Sequence, residues 1–250
     1  MEKNLFREVY SQVCGLALKD CPPSSLSGLL HGYLSVYSMV RVYPWLEDEY
    51  GSLWDIHDRI REIARVIQEL LKDKDISVDT RAGYAVDLMD AYLLYSDIKF
   101  LDVALDTAYE ILIPEGSNKI VLPCRTPNIC RLLCNCYYFT GEEEYRQLAK
   151  SLVMEAIGLS RRFTCVELIA WWDSIPLYES IIGEIDMLEK ERERVREERV
   201  RLKGYIGQLE SEKIEYFQSM EEYHKAYLLV DVFYVLGKRR YNELYEKEEF

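Results

Sequence analysis

Along most of the chain the apolar residues recur three and four apart, and no stretch carries the sustained period-2 alternation of a half-buried strand. The pattern predicts an all-α fold of stacked helical hairpins. Asn4 to Lys19 reads as a first helix, stopped at Cys21-Pro22-Pro23, where fixed φ angles and missing N–H donors break the hydrogen-bond ladder. Ser24 or Ser25 offers a side-chain oxygen to cap a second helix, roughly Leu26 to Tyr43, which ends before Pro44. Leu53, Ile56, Ile60, Ile63, Ile67, Leu70 and Leu71 form the apolar stripe of a third, expected to pair with the second. Thr80 to Tyr95 with Lys99 to Ile113, and Pro127 to Phe139 with Glu142 to Leu159, read as two further hairpins. Pro114-Glu115-Gly116 stops the former and Thr140-Gly141 turns the latter.

Those two hairpins match at a spacing of 45 residues, Phe100, Ala104, Ala108 and Leu112 falling on Tyr145, Ala149, Val153 and Ile157. One residue fewer in the earlier turn aligns Leu88, Tyr92 and Tyr95 with Leu132, Cys136 and Phe139. A period near 45 suggests stacked helix pairs, each unable to bury its apolar face alone, although any two amphipathic hairpins share much of this pattern by chance.

After Pro176 the pattern changes. Ile181, Ile185, Leu188, Arg192, Val195, Arg199, Leu202, Ile206, Leu209, Lys213, Tyr216, Met220, Tyr223 and Tyr227 alternate four and three apart, the period of a coiled-coil seam. The expected division is a hairpin domain over 1–175 and a heptad-patterned helical arm over 176–250, with a protein partner or self-association through 181–234. Gly204 and Gly207 leave open whether the arm is one long helix or a hairpin. Tyr223 to Leu236 is too apolar and aromatic to stand in water, and is expected to return onto the hairpin domain or a partner chain.

Forty-four Asp and Glu against 31 Lys and Arg give a net charge of -13, which disfavours nucleic acid and anionic lipid as partners. Lys190 to Lys203 is locally basic, with seven cationic residues and four acidic ones, and Lys238-Arg239-Arg240 is a second such run. Glu197 to Arg201 and several pairs three apart explain the former as a solvated helix face. No charged n-region and apolar h-region open the chain, and no stretch has the roughly 20 apolar residues that span a bilayer. Seven cysteines, an odd number set mostly inside apolar helical patterns, fit a reducing compartment, so the expected location is cytoplasmic.

Cys124, Cys130, Cys134 and Cys136 lie within thirteen residues, yet no C-x-x-C pair is present and Cys136 points about 200° from Cys134 on a helix, so core packing is expected and no metal or cofactor. His31 stands out among three histidines because Gly28 and Gly32 beside it admit a close backbone or ligand. Asp87 and Asp90 are weak catalytic candidates, since two carboxylates near Tyr84 and Tyr92 would suit acid and base work on a glycosidic bond, though exposed surface charge is the plainer reading. Trp171, Trp172 and Asp173 could line a pocket or cap the core, with Asp173 a third weak catalytic candidate. There is no phosphate-binding loop and no nucleophile elbow.

Pro127 to Ala149, reading PNICRLLCNCYYFTGEEEYRQLA, resembles the inner-helix, T-G-(D/E) turn, outer-helix unit of α/α-toroid proteins, which include six-hairpin glycosidases and lanthionine-cyclase-like enzymes. SLSGLLHGYLSVYSMVRVY, Ser25 to Tyr43, is similar to the G-L-x-H-G repeat start of the cyclase-like group. The similar stretches span roughly 25–173. The zinc-holding Cys-His-Gly element of that group has no counterpart, because Cys124 is followed by Arg125 and Thr126, and only three or four hairpins are visible where a closed toroid needs six or seven. What the resemblance implies is an open arc whose concave side carries His31, Arg125 and Asn128. The leading expectation is a non-catalytic interaction or scaffold protein. The alternative is a small toroid-like enzyme or carbohydrate-binding protein drawing on Asp87, Asp90, Arg125, Asn128, Trp171, Trp172 and Asp173.

Overall fold

The computed structural model describes residues 2–117, 119–159, 170–171, 229–230, 232–234 and 236–237. The fold is all-α, with no strand among the described residues. Among the described residues eight α-helices can be bounded, in chain order: α1 (Glu2–Cys14), α2 (Leu26–Val42), α3 (Glu47–Tyr50), α4 (Leu53–Leu70), α5 (Val78–Tyr95), α6 (Ile98–Leu112), α7 (Pro127–Thr140) and α8 (Glu143–Leu159). The heptad positions from Ile181 to Tyr227, and with them the question of a straight or folded arm, lie outside the described residues. Two compact units divide the chain, Met1–Leu70 with Ile206–Phe250, and Leu71–Tyr205.

In the first unit α2 and α4 pack as the apolar stripes require. Leu26, Leu29, Leu30, Met39, Ile56, Ile60, Ile63 and Ile67 are all essentially inaccessible to solvent. Pro44 ends α2, and the Tyr43 N–H closes the last turn on the Met39 carbonyl at 2.8 Å. A single 3-10 turn, Pro44–Leu46, leads into α3, which Gly51 terminates at φ 89°. Ser52 and Asp55 then start α4 reciprocally: the Asp55 N–H donates to Ser52 Oγ at 3.1 Å and Ser52 Oγ donates to Asp55 Oδ2 at 2.7 Å.

The described residues of 229–237 are helical and supply the rest of this core, with Leu229, Val230, Val232, Phe233 and Leu236 buried. The Phe233 ring sits 5.4 Å from Tyr33, 5.7 Å from Tyr10 and 6.0 Å from Phe6. Gly32 makes this possible, because a Cβ there would stand 2.4 Å from the Phe233 ring. At Gly28 a Cβ would meet Val230 at 3.5 Å, an ordinary contact, so of the two glycines beside His31 it is Gly32 that admits Phe233.

The second unit contains two helical hairpins. Side-chain oxygens of Ser77, Asp97 and Thr126 cap α5, α6 and α7. α5 closes on Ser96 at φ 55° and α7 on Gly141 at φ 74°, each left-handed residue returning its N–H to the carbonyl four residues earlier. Both connections are two residues long, Ser96-Asp97 and Gly141-Glu142, so the repeat runs at 45 through both helices. The shorter earlier turn expected from the sequence is not there, and Leu88 corresponds to Leu133. Eight consecutive residues of α5, Ala82 to Met89, and five of α7, Leu132 to Cys136, are buried, which makes these the inner helices. α6 buries Phe100, Ala104, Ala108 and Leu112 and exposes Asp102, Asp106 and Glu110.

Candidate functional site

The residues singled out in the second unit are held by its own helices. Asp87 is wholly buried, against the expectation of a surface carboxylate, because it falls in the stretch of α5 from Ala82 to Met89 that is buried on every face. Burial pushes the Tyr84 hydroxyl well above its ordinary range, and the nearby Asp87 carboxylate adds to the shift. Asp90 is partly exposed and faces the Arg131 guanidinium at 3.5 Å. The two carboxylates share a helix and not an environment. Asn128 donates from Nδ2 to Asp79 Oδ2 at 3.1 Å and to the Asp79 carbonyl at 3.3 Å, while the Thr126 hydroxyl donates to Asp79 Oδ1. These bonds tie the N-terminal turn of α7 to that of α5. Arg125 pairs with Glu155 of α8. Trp171 is buried, and Trp172 and Asp173 lie outside the described residues.

Cys130, Cys134 and Cys136 are buried in the core of the same unit, and Cys124 is half-buried with its Sγ 3.8 Å from Thr126 Oγ1. Among the described residues no group of three or more His, Cys, Asp and Glu side chains could hold a metal ion. A hydrogen bond with Cys130, then burial, pushes the Cys134 thiol far up, and burial takes Cys136 up to about 12. Thiols in this state are poor nucleophiles and poor ligands at neutral pH. His31 belongs to the first unit, where it is buried with its ring 6.2 Å from Tyr234.

A different cluster emerges at the corner joining α2, α3 and α4. Trp45 is 69% exposed and Trp54 is 77% exposed, the largest apolar side chains left in water among the described residues. Leu53, Ile56 and Ile60 turn one face of α4 inward, which forces Trp54 outward. Tyr43 packs on Trp45 with ring centroids 5.1 Å apart, and Trp54 and Tyr37 each lie 6.1 Å from His57. Glu47 Oε1 accepts from the Leu53 N–H at 3.0 Å, so the residues after Trp45 are fastened to the turn that carries Trp54.

The charge around the corner is mixed: between Arg41 and Arg59 the chain carries Glu47, Asp48, Glu49, Asp55 and Asp58, and Asp58 lines a surface pocket with Arg61, Glu62 and Arg65. Both indoles were visible in the sequence, and Trp54 falls off the isoleucine stripe. Only the fold places them at one corner. Among the described residues no helix is long and apolar enough to cross a membrane. Compared with protein-family models, curated proteins and solved structures, the chain matches none.

Proposed function

We propose that this chain is a helical interaction protein that binds a protein or peptide partner, without a cofactor, through the aromatic corner of its first unit. The observation that carries this reading is the pair of exposed tryptophans, Trp45 and Trp54, held on one braced corner. Leaving two indoles in water forfeits burial worth roughly 1.5–3 kcal/mol for each side chain of this size. Interface hot spots are enriched in tryptophan and tyrosine because such side chains bring large contact area at little conformational cost. Further support comes from the second unit, where Asp90, Arg125 and Asn128 are engaged by Arg131, Glu155 and Asp79. In this reading the heptad segment 181–234 supplies self-association or a second contact surface, and the cysteines set in helix cores suit the cytoplasm.

The test is selection from a displayed library of random dodecapeptides on the full chain, with the Trp45→Ala/Trp54→Ala double variant as counter-target. Peptides that bind the wild type and fail on the variant support the reading. A library that yields no peptide dependent on these two residues overturns it.

A further inference from the structure

The second unit has a cleft of its own, about 450 Å³ in volume, where the connection between α4 and α5, the N-terminal part of α5 and the C-terminal end of α6 meet the loop that follows α6. Small-ligand sites fall in this size range. The loop is fixed by its own backbone: the Ser117 N–H donates to the Pro114 carbonyl at 2.9 Å, with Gly116 between them at φ 77°, and the Val121 N–H donates to the Leu112 carbonyl at 2.8 Å. A wall held in this way loses little freedom when a ligand settles against it.

Four charged side chains line the cleft, two of each sign: Lys74, Arg81, Glu110 and Glu115. The Arg81 guanidinium, 12% exposed, donates from Nη2 to Glu110 Oε2 at 2.7 Å, its one hydrogen bond among the described residues, and its buried Nε has no partner there. That hydrogen bond, with the Lys74 charge adding to it, holds the Glu110 carboxyl below its ordinary range. Arg81 and Glu110 offset each other, which leaves Lys74 and Glu115, one cation and one anion, both exposed and neither in a hydrogen bond or salt bridge among the described residues. Tyr109, 59% exposed, and Ile113 supply an apolar side. A simple anion would face Glu115 and a simple cation would face Lys74, each at a cost, whereas a molecule carrying both charges satisfies both.

We propose that this cleft binds a small zwitterion with an apolar body, a dipeptide of aliphatic residues, its carboxylate on Lys74 and Arg81, its ammonium on Glu115 and its side chains against Tyr109 and Ile113. A guanidinium carries five N–H donors, so Arg81 can accept a second carboxylate beside Glu110. A single amino acid would leave much of the volume to water. The site is separate from the Trp45 and Trp54 corner and does not rest on that docking reading.

The experiment titrates the full chain with Leu-Leu, with N-acetyl-Leu-Leu, which lacks the ammonium, and with Leu-Leu amide, which lacks the carboxylate, followed by saturation-transfer difference NMR. Leu-Leu is expected to bind more tightly than either derivative. Lys74→Ala and Glu115→Ala should each weaken Leu-Leu binding about 2- to 5-fold, the range of one exposed ion pair. The pattern is specific: Lys74→Ala removes the preference over the amide, and Glu115→Ala removes the preference over the acetyl derivative. Both side chains are exposed, so circular dichroism of the variants should match the wild type. The Trp45→Ala/Trp54→Ala double variant should bind Leu-Leu as the wild type does, which keeps failure of this site distinct from failure of the docking reading. Absence of Leu-Leu binding at millimolar concentration overturns the proposal, as does equal binding of all three compounds. Leu-Leu binding that survives unchanged in both Lys74→Ala and Glu115→Ala, or that is lost in the tryptophan variant, places the ligand elsewhere and has the same consequence.

Discussion

Gly32 shows how one missing methyl decides a contact. A Cβ at this position would lie 2.4 Å from the edge of the Phe233 ring, which is itself enclosed by Phe6, Tyr10 and Tyr33 and has nowhere to turn. Gly32→Ala is therefore expected to cost about 1–3 kcal/mol by overpacking, measured by chemical denaturation. Phe233→Leu in the same background should recover part of that loss, and additive effects in the double-mutant cycle would exclude direct contact. Cys136 makes a residue-scale prediction about pH. An unfolded thiol ionises near 8.5, whereas burial takes this one up to about 12. Below about pH 8.5 both states keep the proton and the group has no effect on stability. As pH rises toward 12 only the unfolded chain gives the proton up, so stability falls. Cys136→Ala should show a shallower decline over that alkaline window, read from unfolding midpoints at successive pH values.

At the scale of elements, the two hairpins of the second unit use one design with different residues at the turn. Ser96 and Gly141 both adopt the left-handed conformation that closes an inner helix, and only the glycine does so without steric cost. Ser96→Gly is expected to raise the melting temperature modestly and Gly141→Ala to lower it, each by roughly 0.5–1 kcal/mol. Equal shifts of the same sign in both would show that the two turns are not equivalent. The equivalence was half legible beforehand. Phe100, Ala104 and Ala108 against Tyr145, Ala149 and Val153 gave the spacing of the outer helices. The inner helices were misaligned by one residue, because α5 and α7 are buried on nearly every face and carry no stripe to set a register.

For the whole molecule, the consequential fact is that the first unit is discontinuous, its core completed by residues more than 150 positions downstream of α2. Phe233→Ala removes a ring that touches Phe6, Tyr10 and Tyr33 and should cost about 3–5 kcal/mol. Hydrogen exchange is the discriminating measurement. Loss of protection confined to α1, α2 and α4, with α5 and α7 unchanged, is expected if the two units hold their own stabilities. Uniform loss through α5 and α7 would show a single cooperative unit.

Most helix positions follow from the sequence alone, because prolines, left-handed residues and 3.6-residue periodicity act within a few positions and need no partner; α1 departs from this, ending at Cys14 where the pattern carried it to Lys19. Pro44 stopping α2, the isoleucine stripe of α4 and the Thr140-Gly141 turn all follow from local chemistry. The surroundings of each helix were decided only by tertiary structure. Asp87 read as a surface charge because its helix was assumed to have a solvent face, and packing between α5, α6 and α7 removed that face. Gly28 and Gly32 signalled a close approach without naming Phe233, which Gly32 alone must admit, as what approaches. No sequence pattern singles out Trp45 and Trp54; the hydrogen bond from the Leu53 N–H to Glu47 holds together the segments that carry them, and proximity of this kind depends on chain reversal and packing that local periodicity does not encode.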